Sequence, residues 1–386
     1  MFKYSNSNFS NAGKYLSIEE YLRSFDTPSS SKKYPVNSDL IKVIGVGGAG
    51  CNTITALMKM GIQGAECIAV NTDESHLNRI IADKKILIGK DLTKGRGTGG
   101  YPEVGEACAR RDENKIEEML GDAEMVFITY GLGGGTGTGA GPVIAEIAKK
   151  KGAIVIGVVT LPFETEGTHK MKIALQGLER LRNYADTVAI ISNERLNEVA
   201  GILPLEKALY VGTSTLAIMV KGITEIIMKP SLLNVDFADV RALMSNGDVA
   251  AICVGYAEGR NRVEDAVNMA LNNPLLEIDL TGATGALIVV KGGPDLQLSE
   301  VSKIADIVKK KMLSTASIKW GADVVEDLQG KLKVLLVVTG VRSKNLISSR
   351  EKPVSTRPRI PSAGLFPPSE DKVDEILYTY LSVIDA

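Results

Sequence analysis

Along the chain, the spacing of apolar residues switches between the two periods that strands and helices impose. Short apolar runs at Ile41–Val46 and at 67–70, 85–88, 125–130, 153–160 and 187–191 predict buried strands. Between them, apolar positions recur every three or four residues over 47–60, 103–120, 142–151 and 170–184, which predicts amphipathic helices. Such alternation predicts a parallel α/β sheet with helices on both faces, where ligands bind beyond the carboxyl ends of the strands.

Leu205–Met228 keeps the helical period for about six turns, through Leu205, Leu209, Gly212, Leu216, Met219, Val220, Ile223 and Ile227. Its second half is apolar nearly all round, which predicts a long helix buried between two layers and stopped by Pro230. Beyond Asn246-Gly247-Asp248, strands are expected at 250–256, 286–291, 317–322 and 334–339, with helices at 263–271 and 298–312. That arrangement reads as a smaller α+β domain packed on the central helix.

The two ends differ in character. Residues 1–37 are polar, with Ser17 and Glu20 spaced as a capping box for one short helix. Residues 342–370, rich in proline and serine, read as a disordered linker. In 371–386 the residues Val373, Ile376, Leu377, Tyr380, Leu381 and Ile384 share one helical face. A peptide of that kind either docks into a partner's groove or folds back on its own body.

Composition narrows the classes. The 386 residues suffice for two domains, and a formal net charge of −1 argues against general nucleic-acid binding. Aromatic residues make up only 5% and do not interleave with basic ones, which argues against a single-strand binding surface. Cys51, Cys67, Cys108 and Cys253 form no CxxC pair, and His76 and His169 are the only histidines, so neither a zinc site nor a disulfide framework is expected. The amino terminus lacks an apolar signal core, and runs such as 153–163 are about half the ~20 residues a bilayer requires. The expectation is a soluble cytoplasmic protein that does not itself enter a membrane.

The candidate chemistry lies in two glycine-rich stretches. Gly131-Leu132-Gly133-Gly134-Gly135-Thr136-Gly137-Thr138-Gly139 follows a predicted strand and precedes a predicted helix. Free N–H groups and the positive end of a helix dipole make that arrangement an anion cradle; the alternative is a flexible linker. Gly45-Val46-Gly47-Gly48-Ala49-Gly50 satisfies GxGxxG between a strand and a helix, with Asp73 at the end of the next strand. Alone, this is the dinucleotide-binding fingerprint of a dehydrogenase, but a second phosphate-type loop does not belong to that pattern, and no GxxxxGK[ST] is present. Asp236 and Asp239 lie three apart at a loop-to-helix junction, either as a capping pair or as carboxylates that position a water.

Taken together, these motifs resemble the FtsZ family, the tubulin-like GTPases of prokaryotic cell division. The match rests on residues 45–52, Asn71-Thr72-Asp73, Gly133 to Gly139, Pro162-Phe163-Glu164-Thr165-Glu166-Gly167 and Asn234-Val235-Asp236-Phe237-Ala238-Asp239, in that order. It implies a Rossmann-like parallel-sheet GTPase domain, a long central helix and a smaller α+β domain. It further implies GTP and GDP as ligands, with Mg²⁺ carried on the phosphates rather than by protein metal ligands. By resemblance, Gly47, Gly48, Ala49, Gly50, Cys51 and Asn52 wrap the phosphates, while Gly133, Gly134, Gly135, Thr136, Gly137 and Thr138 cradle the β and γ groups. Asn71, Asp73, Gly99 and Gly100 complete that pocket, Glu166 and Lys170 hold the ribose side, and Asn193 and Ser214 lie by the base. The resemblance also implies that Asn234, Asp236 and Asp239 are the catalytic residues, reaching the nucleotide of the neighbouring subunit.

The domains expected on this basis are 1–37, a nucleotide-binding domain at 38–204, the central helix at 205–228, an α+β domain at 229–341, a linker at 342–370 and a partner-binding peptide at 371–386. The protein would polymerise head to tail at mid-cell and meet a membrane-bound adaptor through that last peptide. The match departs from the family at Thr213-Ser214, where Asn-Asp is usual, at Lys170 in place of Arg, and at Tyr101 in place of Asn. Exchanging a carboxylate for the Ser214 hydroxyl forfeits a charge-assisted bond of about 1.5–3 kcal/mol, which erodes discrimination between guanine and adenine. These departures mark a divergent member. The rival readings are a nucleotide-binding filament scaffold with little turnover or relaxed base specificity and, remotely, an NAD-type dehydrogenase.

Overall fold

The computed structural model describes residues 40–200, 205–228, 236–245, 247–272 and 279–341, without the side chains of 197–200, 205–211, 226 and 228. The expectations for 1–37, Pro230, Asn234, 342–370 and 371–386 lie outside the described residues. The strands are β1 Ile41–Val46, β2 Glu66–Asn71, β3 Lys84–Leu87, β4 Met125–Gly131, β5 Ile154–Leu161, β6 Thr187–Ser192, β7 Asp248–Glu258, β8 Gly285–Gly292, β9 Ser317–Val324 and β10 Lys331–Thr339. The helices before the central one are α1 Gly47–Lys59, α2 Glu74–Arg79, α3 Lys90–Thr93, α4 Pro102–Arg111, α5 Glu113–Leu120, α6 Gly135–Lys150, α7 Thr168–Arg182 and α8 Asn193–Ala200. The central helix is α9 Leu205–Met228, followed by α10 Phe237–Met244, α11 Arg262–Leu271 and α12 Leu298–Lys309.

The strands form one sheet in the order β3-β2-β1-β4-β5-β6-β7-β10-β8-β9. From β3 to β6 every pairing is parallel, and the chain turns from one side of β1 to the other where β1 meets β4. That switch point opens a crevice at the carboxyl ends of the strands. The strands of the second half, expected as part of a smaller α+β domain on the central helix, join the same sheet: β7 continues it, with Thr187, Val188 and Ala189 paired to Asp248, Val249 and Ala250. The free edge of β6 would otherwise leave N–H and C=O groups without partners. Beyond it, β10 lies antiparallel to β7 and β8, and β9 forms the outer edge, parallel to β8.

Successive strand residues alternate between two cores. Ile41, Val43, Phe127 and Ile156 meet Ile54 and Leu57 of α1 and Leu216, Val220 and Ile223 of α9, in a core that continues to Ile252, Leu287 and Leu336. Ile44, Val126 and Ile128 meet Val143 and Ile144 of α6 and Leu178 and Leu181 of α7 on the other face. With both faces covered, β1 is buried throughout.

Two helix expectations are corrected. The helix expected over 103–120 is two helices broken at Asp112, where φ is −106° and ψ 28°. The Asp112 carboxylate accepts from the Gly89 N–H at 2.6 Å and pairs with Lys115 at 2.7 Å, which ties the bend to the neighbouring loop. The helix expected over 142–151 begins at Gly135, so most of the glycine stretch is helix rather than loop. Close packing explains those glycines: a Cβ on Gly139 would stand 2.0 Å from the Pro102 carbonyl oxygen, and one on Gly141 would stand 2.4 Å from the Tyr130 ring. All four cysteines are free and buried. Among the described residues, no helix is long and apolar enough to cross a membrane.

Candidate functional site: a cleft between two uncapped helices

Two helix N-termini converge where β1 and β4 diverge. Helix α1 starts from Val46 with no side-chain cap and no acidic residue in its first turn. Helix α6 starts from Gly134 in the same condition. Their first N–H groups therefore lack a capping side chain, which leaves them for an anion. Gly47, at φ +70°, makes the turn from β1, and a Cβ there would come within 3.1 Å of the Gly137 nitrogen. The two termini are thus nearly in contact across the crevice.

The cleft they line encloses about 470 Å³, within the range of small-molecule sites. From the first glycine stretch it includes Gly47, Gly48 and Ala49, and from the second Gly134, Gly135, Thr136 and Gly137. Asn71, Asp73, Gly99, Gly100, Glu166, Lys170 and Asn193 complete the expected residues found in its wall.

Hydrogen bonds within the wall fix its shape. Asn71 Oδ1 accepts from the Thr72 and Asp73 N–H groups at 2.9 and 3.3 Å, turning the chain out of β2. Asp73 then caps α2 by accepting the His76 N–H at 2.9 Å. The Asn71 amide nitrogen lies 3.2 Å from His76 Nδ1; because an amide NH₂ only donates, Nδ1 is the acceptor and the ring proton belongs on Nε2. His76 also lines the cleft, a position the sequence reading missed. Its signal was present, since an Asp N-cap places the residue three positions on in the first turn of the helix it starts.

Glu166 accepts from the Phe163 N–H at 2.9 Å and from the Lys170 ammonium. Burial pushes its carboxyl upward, but those hydrogen bonds outweigh it and hold the group below its ordinary value. It is ionised at neutral pH and acts as an acceptor.

Of the expected nucleotide-binding residues, Gly50, Cys51, Asn52, Gly133, Thr138 and Ser214 stand outside the wall. Gly50 is a packing position, where a Cβ would lie 2.2 Å from the Thr129 carbonyl oxygen. Cys51 is fully buried, its thiol 3.6 Å from the Val70 carbonyl oxygen and pushed by burial up to about 12. Asn52 is exposed one residue further along α1. Thr138 acts on the loop itself: its Oγ1 accepts the Gly133 N–H at 3.0 Å. Ser214 is 0% exposed inside α9, with no hydrogen-bond partner for its hydroxyl among the described residues.

Asp236 and Asp239 lie at the other end of the sheet. Their helix α10 packs at the amino ends of the strands: Leu243 against Gly285 at the start of β8, and the Met244 carbonyl accepting from Thr187, the first residue of β6, at 2.7 Å. Arg241 stands 3.8 Å from Glu124, just before β4. The cleft lies at the carboxyl ends of the same strands, and the seven residues of β4 alone span about 20 Å. Asp236 Oδ1 caps α10 by accepting the Asp239 N–H at 2.7 Å, and the Asp239 carboxylate pairs with Lys319 at 2.7 Å.

A parallel sheet that switches order at β1 and β4, with two uncapped helix N-termini facing the crevice, defines a nucleotide-binding α/β protein whose second glycine stretch is of the tubulin type. The family model "Tubulin/FtsZ family, GTPase domain" matches residues 40–201, and "FtsZ family, C-terminal domain" matches 248–342. Cell division protein FtsZ 1 of Methanocaldococcus jannaschii is 51% identical over 304 residues, 79% of this chain and 84% of that protein. Cell division protein FtsZ 1 of Thermococcus kodakarensis is also 51% identical, over 312 residues, 81% of this chain and 83% of its own. A solved FtsZ dimer of M. jannaschii superposes with a TM-score of 0.74 at 45% identity, covering 89% of this chain and 98% of that one. The chain belongs to the FtsZ family. It has the tubulin/FtsZ fold and is a GTPase that binds GTP and GDP.

Proposed function

We infer that this GTPase assembles head to tail into filaments for cell division and that each active site is completed by the next subunit. The observation carrying the trans arrangement is the separation of the cleft from Asp236 and Asp239 by the length of the sheet. Carboxylates at one end meet a phosphate cradle at the other only when two molecules stack. The similarity to a solved FtsZ dimer supports self-association.

In this reading the triphosphate lies against the first turns of α1 and α6, Glu166 accepts from the ribose hydroxyls, and Asn193 stands beside the base. Asp236 and Asp239 of the neighbour, with Asn234, hold a water in line with the γ-phosphorus. A new P–O bond forms as the bond to the β-phosphate breaks, giving GDP and phosphate. Mg²⁺ fits this site as a phosphate-borne ion. The wall's carboxylates, Asp73 and Glu166, are already engaged, so the phosphates and waters would supply most of its ligands. The metal would neutralise developing charge on the phosphates.

Work at mid-cell in the cytoplasm, through a membrane-bound adaptor that takes the 371–386 peptide, completes the proposal. It is tested by measuring turnover per subunit against protein concentration. A rise with concentration is expected from a shared site. A flat profile contradicts it.

A further inference from the structure

Asp239 is not left to water. The Lys319 ammonium, from the third residue of the edge strand β9, stands 2.7 Å from its Oδ1. Asp236 and Asp239 divide their work: Asp236 serves the backbone of α10 as its cap, and Asp239 faces the lysine. The position of that cation runs against helix electrostatics. Asp239 is in the first turn of α10, where the dipole is positive and a carboxylate alone is favourable. A lysine there gives the helix nothing. Its attraction is to the carboxylates, and burial of Lys319 charge is no motive, because the side chain is 47% exposed.

What the ammonium changes is the face that meets a neighbour. Without it, two carboxylates would approach a cleft holding several phosphate charges. With it, the local charge falls by one, and Asp239 is held in one orientation as the surfaces close.

We propose that Lys319 is a positioning residue for trans hydrolysis: it orients the Asp239 carboxylate toward the neighbour's nucleotide and reduces the charge repulsion between the two ends. The inference deepens the shared-site reading and rests on it. When the surfaces meet, the lysine remains beside the carboxylate, and the phosphates on the other side compete for it. Both effects tie turnover to a closed interface.

The test compares Lys319→Met, Lys319→Arg and Asp239→Asn in the full chain, measuring GTP binding, the critical concentration for assembly and turnover per assembled subunit. Lys319→Met is expected to bind GTP as wild type does and to lose up to about a hundredfold in turnover per assembled subunit, the scale of a reacting group misplaced by about 1 Å. Its critical concentration should rise at low salt and converge on wild type as salt screens the repulsion. Lys319→Arg should restore both. Asp239→Asn should abolish turnover. If Lys319→Met turns over normally while Asp239→Asn is inactive, the lysine proposal falls and the shared site stands. If both turn over normally, the shared site falls and takes this proposal with it. If Lys319→Met is impaired while Asp239→Asn is not, the lysine does not act through Asp239 and the proposal is overturned.

Discussion

The hydroxyls of Thr72 and Thr136 stand 2.7 Å apart, both buried, joining the end of β2 to the first turn of α6. One hydrogen bond thus links the two loops that shape the cleft. Thr72→Val keeps the volume but leaves the Thr136 hydroxyl without its partner, at a cost of about 1–3 kcal/mol. The expected outcome is a lower urea midpoint together with weaker GTP binding, measured by denaturation and by nucleotide titration. A variant that loses stability alone would show that the bond supports the fold without shaping the cleft.

Gly139 is the tightest test of helix packing around the cradle. A Cβ there would stand 2.0 Å from the Pro102 carbonyl oxygen and 2.7 Å from the Glu106 nitrogen, both backbone atoms of α4. Neither can swing aside as a side chain would. Gly139→Ala is expected to cost about 1–3 kcal/mol or more in unfolding free energy, the range of overpacking. Gly48→Ala is the control, since its Cβ meets nothing within 4 Å, and its stability should match or slightly exceed wild type.

Acid sensitivity should trace in part to Glu66. Burial raises its carboxyl, but hydrogen bonds from Lys42 and Lys84, at 2.5 and 2.6 Å, outweigh that and hold the group below its ordinary 4.5. A carboxyl lowered in the folded state contributes stability that is complete above its unfolded value and is lost as pH falls through the folded one. Glu66→Gln should therefore flatten the loss of stability below pH 4.5. At neutral pH it should cost about 1–3 kcal/mol, because Lys42, 5% exposed, loses its charge-assisted hydrogen bond to Glu66. Denaturation midpoints across pH for both proteins check the two statements together.

Much of the fold was legible because both faces of the sheet are buried, which writes strands as plain apolar runs. The bounds of β1 and α9 coincide with those expected from sequence. The start of α6 was hidden because Gly135, Gly137 and Gly139 read as loop residues, whereas contact with the Thr98–Tyr101 loop, β4 and α4 respectively selects them inside a helix. The break at Asp112 was invisible because Cys108, Ile116 and Leu120 stay in one helical phase across it. Most of the candidate cleft was readable from its glycines and from Asn71, Asp73 and Glu166. Residues that depend on burial were not. Cys51 and Ser214 sit in the right segments, but helix register turns their side chains into the core. Lys319 carried no local signal, because its partner lies far away in sequence and only the sheet brings the two together.

If one molecule's cleft works with another molecule's carboxylates, two inactive variants should restore each other's activity when mixed. Asp239→Asn keeps an intact cleft and loses the outward carboxylate of the acidic face. Gly48→Asp keeps the acidic face and adds a negative charge to the cleft wall, at a position with room for a side chain. Each alone should hydrolyse almost no GTP. Mixed in equal amounts, they should recover turnover that neither shows alone, because the cleft of the first meets Asp239 of the second. A mixture no more active than the sum of its parts would contradict the shared site.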